Sequence, residues 1–183
     1  MKIHNEFVIA APIEQTWAAL NDMPRVARCA PGAELLEQRD DGACVGTIAV
    51  RLGPVALKFK GVVEFIERDA TGFRTEAKAK GAEEKARGSA TADVKFALAT
   101  VEAGTLIRVD SDIQLAGLIA QYGRGAALIQ ATAQALMDDF ARNLQADLNG
   151  EGATAGDISG ARLIVRGVSG AVAGLFGKKE SGA

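Results

Sequence analysis

The residue types that carry most enzyme and metal chemistry are scarce in this chain of 183 residues. His4 is the single histidine, which excludes a zinc site built on two or three imidazoles. The two cysteines, Cys29 and Cys44, match no metal-binding or redox spacing, and we interpret both as small buried apolar residues. No serine or cysteine has a credible general base beside it in sequence. Catalysis and metal binding therefore have little support, and His4 is expected on the surface.

Acidic side chains are more numerous, but their spacing favours solvated surfaces over a shared acid–base site. Neighbouring residues point in two directions along a strand or helix, so adjacent acids do not converge on one substrate. We therefore expect such pairs in solvated turns or on exposed helix faces. Asp110 and Asp112, the other candidates for a cavity acid, fall on the polar face of a predicted strand. The adjacent pairs are Asp40-Asp41, Glu83-Glu84 and Asp138-Asp139.

Composition narrows the range of partners. Lys plus Arg is 21 and Asp plus Glu is 23, so the net charge is −2. This charge and an aromatic content of 5% argue against a nucleic-acid partner, which needs cations and stacking platforms. The first ten residues lack the apolar core of a signal peptide, so we expect a cytoplasmic protein with reduced thiols.

Alternating apolar and polar residues predict an antiparallel sheet. Residues 3–10 alternate as a first strand, and two short helices follow, opened by Ala11-Pro12 and by Met23-Pro24. No helical pattern interrupts the next region, so its strands form a meander rather than β-α-β units. These six strands are predicted over residues 33–39, 42–52, 55–68, 72–80, 84–100 and 104–116.

The strands of the meander have one apolar and one charged face, and the longest helical pattern covers the apolar face. That helix is predicted over residues 118–149, where apolar residues recur every three or four positions. The charged face carries a basic stripe of Lys58, Lys60, Lys78 and Lys80, which is a solvated surface or a docking site for an acidic partner. The fold is therefore α+β: a seven-stranded curved antiparallel sheet wrapped around a long C-terminal helix, with two short helices after the first strand.

The predicted buried faces carry many glycine and alanine residues. Small side chains that face one another leave volume, so either the helix lies unusually close to the sheet or the space holds a ligand. Thr75 and Ser111 fall on this side and are expected to satisfy their hydrogen bonds locally. Gln130, within the helical stripe, and Tyr122 could offer polar groups to a ligand. The candidate ligand contacts are Trp17, Phe59, Ala90, Phe96, Tyr122, Gly123, Ala126, Gln130 and Ala133.

Three segments are predicted: a ligand-binding domain over 1–149, a flexible Gly-rich linker over 150–160 and an amphipathic tail over 161–183. The uncharged run 167–177 of the tail is much shorter than the roughly 20 residues that span a bilayer. The tail could instead lie in a membrane interface or bind a partner protein; a disordered or folded-back tail is the alternative. Its predicted membrane contacts are Arg162, Arg166, Val168, Val172, Leu175, Phe176, Lys178 and Lys179.

The order of elements over residues 3–148 resembles the START-like superfamily, whose fold is also called SRPBCC or helix-grip. Local motifs resemble more narrowly one of its branches, the G-subunit family of carbon monoxide dehydrogenase. The most specific motif is Cys29-Ala30-Pro31-Gly32 with Asp22 upstream. The others are Ala11-Pro12 with Trp17, Leu52-Gly53-Pro54-Val55, Phe59-Lys60-Gly61, Gly88-Ser89-Ala90 and Gly117.

This resemblance implies a non-catalytic accessory protein of a carbon monoxide dehydrogenase-type molybdenum hydroxylase. It also implies a hydrophobic small molecule in the cavity, with an isoprenoid quinone as the natural ligand and no covalent cofactor. The expected partners are the hydroxylase subunits and the inner face of the cytoplasmic membrane, with peripheral membrane association. Two alternatives stay open: a cyclase- or dehydratase-like enzyme using Asp110 or Asp112, and a maturation scaffold that binds no ligand.

Overall fold

A computed structural model describes residues 1–124 and 126–150 of the chain. Within these residues lie seven strands, three α-helices and one 3₁₀ helix. The predicted tail and the linker from residue 151 onward lie outside the described residues. The helices are α1 (Ile13–Asn21), α2 (Met23–Cys29), the 3₁₀ helix (Leu118–Arg124) and α3 (Ala126–Leu148). The strands are β1 (Lys2–Ile9), β2 (Ala33–Gln38), β3 (Cys44–Leu52), β4 (Val55–Asp69), β5 (Arg74–Glu83), β6 (Gly88–Val101) and β7 (Gly104–Gly117).

The seven strands form one antiparallel sheet in the order β1-β7-β6-β5-β4-β3-β2. β1 and β2 are its two edges, so the sheet does not close into a barrel. α3 contacts β1 along most of its length and also reaches β3, near the opposite edge. A single helix touches strands so far apart in the order only if the sheet curves around it. The predicted α+β helix-grip architecture is confirmed.

Local sequence explains where the two short helices begin. Pro12 precedes α1 with φ of −57°, and the Thr16 hydroxyl donates to its carbonyl oxygen (3.1 Å). Asp22 caps α2 by accepting a hydrogen bond from the backbone N–H of Arg25 (3.1 Å), and Pro24 lies in the first turn. These helices cover one end of the sheet.

The predicted helix over 118–149 is wrong at its start. Residues 118–124 form a 3₁₀ helix, and the α-helix begins at Ala126. Glycines at positions 123 and 125 disfavour a continuous α-helix, because each costs about 1 kcal/mol relative to alanine. α3 therefore spans about 35 Å at 1.5 Å per residue, not the roughly 48 Å that the longer helix would span.

The predicted turn between the fifth and sixth strands is also wrong. β5 continues through Glu83, and the turn lies at residues 84–87. Glu83 is 3% exposed on the inner face of the sheet, so its predicted place in a solvated turn is incorrect. Its carboxylate accepts hydrogen bonds from the backbone N–H of Lys85 and of Arg87 and from the Arg87 guanidinium. These bonds hold the turn, and the Arg87 hydrogen bonds hold the pKa of Glu83 at about 2 despite its burial.

The large apolar side chains of the inner face form two separate clusters. The first core cluster lies beneath α1, α2 and the end of α3, and it contains buried Ile9, Ile107, Phe140 and Leu144. The second core cluster lies beneath the 3₁₀ helix and the start of α3, and it is built around Ile3, Leu57, Ile119 and Ile129. The site of interest lies between them.

Candidate functional site

Between the two clusters, the inner face of the sheet carries mainly glycine and alanine. We call this region the trough. Its residues belong to neither cluster, and most of them are half-buried rather than buried. The trough consists of Gly46 and Ile48 on β3, Gly61 and Val63 on β4, Ala77, Ala79 and Gly81 on β5, and Ala90, Ala92 and Val94 on β6.

Strand register brings the smallest of these residues into one row. Gly46 lies opposite Gly61, Gly61 opposite Gly81, and Gly81 opposite Ala90, so the row crosses four strands. A Cβ on Gly61 would overlap the carbonyl oxygen of Lys80, so glycine is required there for the close approach of β4 and β5. The row places almost no side-chain volume on the inner face at this level.

α3 borders the trough without filling it. Three contacts follow one another along both β1 and α3. The Asn5 amide donates to Oε1 of Gln134 (2.7 Å), Phe7 packs edge-on against Phe140 (6.1 Å between ring centroids), and the Ala10 backbone N–H donates to Gln145 (2.7 Å). The helix therefore runs along the β1 edge and packs mainly there, with less extensive contacts to β3 and α2.

Ile48 marks the open side of the trough. It points to the inner face, opposite Phe59, yet its side chain is 37% exposed. A large apolar residue that faces inward and remains accessible borders unfilled space. The exposure of Ile48 depends on where α3 lies, which no local pattern specifies, so sequence reasoning missed it.

Thr75 supplies an unpaired hydroxyl at the end of the trough beside the first core cluster. It is 3% exposed, lies next to Ala77 on the inner face of β5 and is opposite Phe96 on β6. Among the described residues its Oγ1 has no hydrogen-bond partner, so the prediction that Thr75 satisfies itself locally is wrong. In a strand the neighbouring backbone groups are used by the ladder, which leaves the hydroxyl to seek a partner across the inner face.

Aromatic rings close the trough at the same end. Trp17 of α1 packs against Phe73 with ring centroids 5.7 Å apart and against Phe96 at 6.2 Å. Phe65, opposite Ala77, carries the Arg68 guanidinium on its ring at 3.6 Å. An apolar floor that offers the Thr75 hydroxyl, and the guanidinium of Arg68 opposite Thr75 on β4, suits an aromatic or quinonoid group that carries an oxygen.

The predicted ligand contacts fall into three groups. Ala90 lies in the trough and Phe96 and Trp17 at its aromatic end, while Phe59 and Ala133 pack on the second core cluster at the other end. Tyr122 and Gly123 lie in the 3₁₀ helix, and Ala126 begins α3. Gln130 is exposed, so its predicted place in the buried stripe is wrong. The stripe passes through Ile129 and Ala133, about 100° and 60° away on the same side of the helix.

Both thiols lie in the interior, as predicted. Cys29 and Cys44 are free and buried, and burial raises the pKa of each thiol. A raised pKa keeps them protonated at neutral pH, so they act as small apolar residues rather than nucleophiles.

The acids considered for an enzymatic alternative lie away from the trough. Asp110 is on the outer face, where it pairs with the exposed ring of His4 (2.8 Å). Asp112 accepts a hydrogen bond from the amino group of Met1 (2.9 Å), which lowers the pKa of its carboxyl. Within residues 1–124 and 126–150, no group of three metal-ligating side chains occurs, and no helix is long and apolar enough to cross a bilayer.

Solved structures show the same fold at low sequence identity. A conserved protein from Geobacillus kaustophilus matches with a TM-score of 0.71 and 16% identity over 82% of this chain and 97% of that chain. A protein from Thermus thermophilus matches with a TM-score of 0.57 and 11% identity over 80% and 99%. The Zhui aromatase/cyclase from Streptomyces sp. R1128 matches with a TM-score of 0.57 and 12% identity over 86% and 99%.

These identities establish the fold alone, and the aromatase/cyclase shows that it can carry an enzyme. No curated protein matches the sequence. The model of the carbon monoxide dehydrogenase G-subunit family matches residues 6–149, which include the second half of β1, the trough and α3. This protein therefore belongs to the G-subunit (CoxG) family of carbon monoxide dehydrogenase.

Proposed function

We propose that this protein is a non-catalytic accessory component of a carbon monoxide dehydrogenase-type molybdenum hydroxylase. It carries an isoprenoid quinone or similar lipid in the trough and links the enzyme to the cytoplasmic membrane. Family membership and the helix-grip fold support an accessory role, and the family's name supports the choice of partner.

The observation that carries the ligand part of the proposal is the trough itself. Its glycine and alanine side chains leave inner-face space between two well-filled clusters, and Ile48 keeps an apolar opening to that space. Native interiors are close-packed, so such space in a folded domain indicates an occupant. The lining is apolar, which favours a lipidic molecule.

Thr75 and the aromatic end give the ligand an orientation. A quinone head group is flat, apolar on its faces and carries carbonyl oxygens at its rim. The Thr75 hydroxyl can donate a hydrogen bond to one carbonyl while Phe96, opposite on β6, contacts the ring face. The isoprenoid tail then runs along Ala79 and Ala92 toward Ile48.

Organic extraction of the purified full-length protein, followed by mass spectrometry, tests the ligand. We expect an isoprenoid quinone or related lipid at close to one molecule per chain. Protein stripped of lipid should regain one equivalent when ubiquinone or menaquinone is added back. An empty extract together with no uptake of either quinone contradicts the proposal and favours a scaffold without ligand.

The membrane link is tested separately on the tail, residues 161–183. Sedimentation of the full chain with vesicles of phosphatidylglycerol and phosphatidylcholine should fall when Leu175→Glu and Phe176→Glu are combined. Bound quinone should be unchanged in this variant, because the substitutions lie outside the ligand-binding domain. Equal sedimentation of the variant and the natural chain would exclude the tail as the membrane contact.

A further inference from the structure

A second concave feature lies on the opposite, outer face of the sheet. It is a groove of about 500 Å³ that crosses β3 to β6 at the level of the glycine row. Lys60, Val62 and Lys80 point to this outer face, because they alternate with the inward-facing Gly61 and Gly81. We call this feature the outer groove.

The walls of the outer groove combine two lysines with apolar residues. Lys60 and Lys80 are exposed and are diagonal neighbours on β4 and β5, since Lys60 lies opposite Ala82 and Lys80 opposite Val62. Diagonal neighbours on adjacent strands are roughly 7–8 Å apart. Val45 lies opposite Val62 and continues the apolar wall onto β3.

Lys60 and Lys80 differ from the other lysines of β4, β5 and β6 on the same face. Lys58 pairs with Glu84 (3.3 Å), Lys78 with Asp93 (3.7 Å) and Lys95 with Glu76 (2.9 Å). Lys60 and Lys80 form no ion pair with any residue in the described ranges 1–124 and 126–150. Arg39, at the rim, has only a distant exposed partner in Glu37 (3.8 Å).

We infer that the outer groove docks a protein segment that carries carboxylate and apolar side chains on one face. Charge complementarity assigns the carboxylates to Lys60 and Lys80, and the apolar side chains to Val45 and Val62. A segment in extended conformation presents alternate side chains about 7 Å apart, which matches the diagonal spacing of the two lysines.

The same observations disfavour an anionic membrane as the occupant. Lys60 and Lys80 line a shallow groove, and the outer face beside it carries neutralised ion pairs such as Lys58–Glu84 and Lys78–Asp93. A bilayer lying across this face would meet few unpaired cations, whereas a narrow segment lying along the groove would contact both lysines and the valines beside them. If the proposed function holds, the docked segment belongs to the molybdenum hydroxylase. That identification of the partner rests on the proposed function, whereas the chemistry of the groove does not depend on it.

Binding of a synthetic peptide to the full-length protein tests this inference. The probe is a fluorescein-labelled decapeptide, Ser-Glu-Ser-Glu-Ser-Val-Ser-Val-Ser-Gly, whose glutamates and valines share one face of an extended chain. Its binding is followed by fluorescence polarisation at low and high salt. The combined Lys60→Glu and Lys80→Glu substitutions should weaken binding at least tenfold, and the milder Lys60→Gln with Lys80→Gln should weaken it by less. Circular dichroism confirms that each variant is folded.

The matched control combines Lys2→Glu with Lys85→Glu. These exposed residues lie on β1 and in the β5–β6 turn, away from the groove, and their substitution changes the net charge by the same amount. We expect this variant to bind the peptide as the natural chain does. No peptide binding, or equal loss in both charge-reversed variants, would overturn the inference.

Two further probes distinguish an anionic membrane and a free anion from a protein segment as the occupant of the groove. Loss of phosphatidylglycerol vesicle binding in the Lys60/Lys80 variant, without peptide binding by the natural chain, would assign the groove to a membrane and overturn the inference. If millimolar inorganic phosphate displaces the labelled peptide as effectively as unlabelled peptide does, the groove is a simple anion site and the inference is overturned. None of these results affects quinone extraction, so the two proposals fail independently.

Discussion

The two ends of the inner face and the region between them belong to one continuous sheet but are filled in opposite ways. At the ends, Ile9, Ile107 and Leu144 are almost fully buried among large neighbours. In the trough, Ala79 and Ala92 lie opposite each other and stay half-buried. The hydrogen-bond ladder continues through all three regions, so they differ in side-chain volume and in the helices that cover the ends. The ends therefore stabilise the fold, and the middle can hold an additional molecule.

The two ends of the trough differ from each other in polarity as well. At the second-cluster end, the buried Glu83 carboxylate lies opposite Phe59 and is fully engaged by the β5–β6 turn. At the first-cluster end, the buried Thr75 hydroxyl is unpaired. A buried unpaired hydroxyl costs about 1–3 kcal/mol, so its retention is better explained by a ligand than by stability.

The largest difference between the regions is expected when side-chain volume is removed. Leu144→Ala in the first core cluster should lower the free energy of unfolding by about 2–5 kcal/mol, because it opens a cavity in a filled core. Val94→Ala in the trough should cost well under half as much. Urea unfolding of the lipid-free protein measures both changes in the free energy of unfolding. Equal losses in the two variants would contradict the distinction between a filled core and an unfilled trough.

Adding side-chain volume should reveal the same difference between core and trough. Ala19→Leu, at a fully buried position of the first core cluster, should destabilise the protein by about 1–3 kcal/mol through overpacking. Ala92→Leu introduces the same side chain into the trough and should change the free energy of unfolding by less than about 1 kcal/mol. Urea unfolding of the lipid-free protein measures both variants. An equal loss of stability in Ala92→Leu and Ala19→Leu would mean that the trough is already filled.

Thr75→Val separates binding from stability. Valine has nearly the shape of threonine, so it removes the unpaired hydroxyl without opening a cavity. Stability of the lipid-free protein should stay the same or rise, whereas quinone affinity should fall about 2- to 10-fold through the loss of one hydrogen bond. Calorimetric titration with a short-chain quinone measures the affinity, and Thr91→Val on the outer face is the control. Unchanged affinity in Thr75→Val would remove Thr75 from the site.

The stabilising effect of the Glu83 carboxylate is complete at neutral pH and is lost only in acid. The pKa of Glu83 is lowered from 4.5 to about 2, mainly by its hydrogen bond from Arg87, so the folded state favours the charged form. This contribution to stability is complete above about pH 4.5 and is lost as pH falls toward 2. Glu83→Gln should flatten that part of the stability–pH curve, measured by thermal unfolding. Glu84→Gln, an exposed neighbour, should not; identical curves for both variants would contradict the role of Glu83.

Sequence patterns were sufficient for the architecture and for much of the trough. Alternation placed Ala77, Ala79 and Ala92 on the buried face, because a period of two fixes the face of each residue in a strand. The end of β5 was not predictable, because Gly81 carries an ordinary turn signal. Its actual surroundings, a close approach of β4 to β5 near Gly61, depend on long-range register.

The decisive features of the candidate site are also long-range. The Thr75 hydroxyl has no hydrogen-bond partner within the described part of the chain, and the residue that register places opposite it on β6, Phe96, has no side-chain acceptor. Ile48 is accessible because α3 runs along β1. Local pattern specifies neither fact, since each depends on how residues far apart in sequence are brought together.

Bound lipid in a filled trough tests the account most directly. The combined variant Ala79→Leu and Ala92→Leu occupies the trough, whereas Ala116→Leu adds leucine on the exposed outer face of β7. Organic extraction and mass spectrometry should give about one quinone or related lipid per chain for the natural protein and for Ala116→Leu, and almost none for the filled variant when it is folded. Equal lipid in all three proteins would show that the ligand lies elsewhere and would contradict the account.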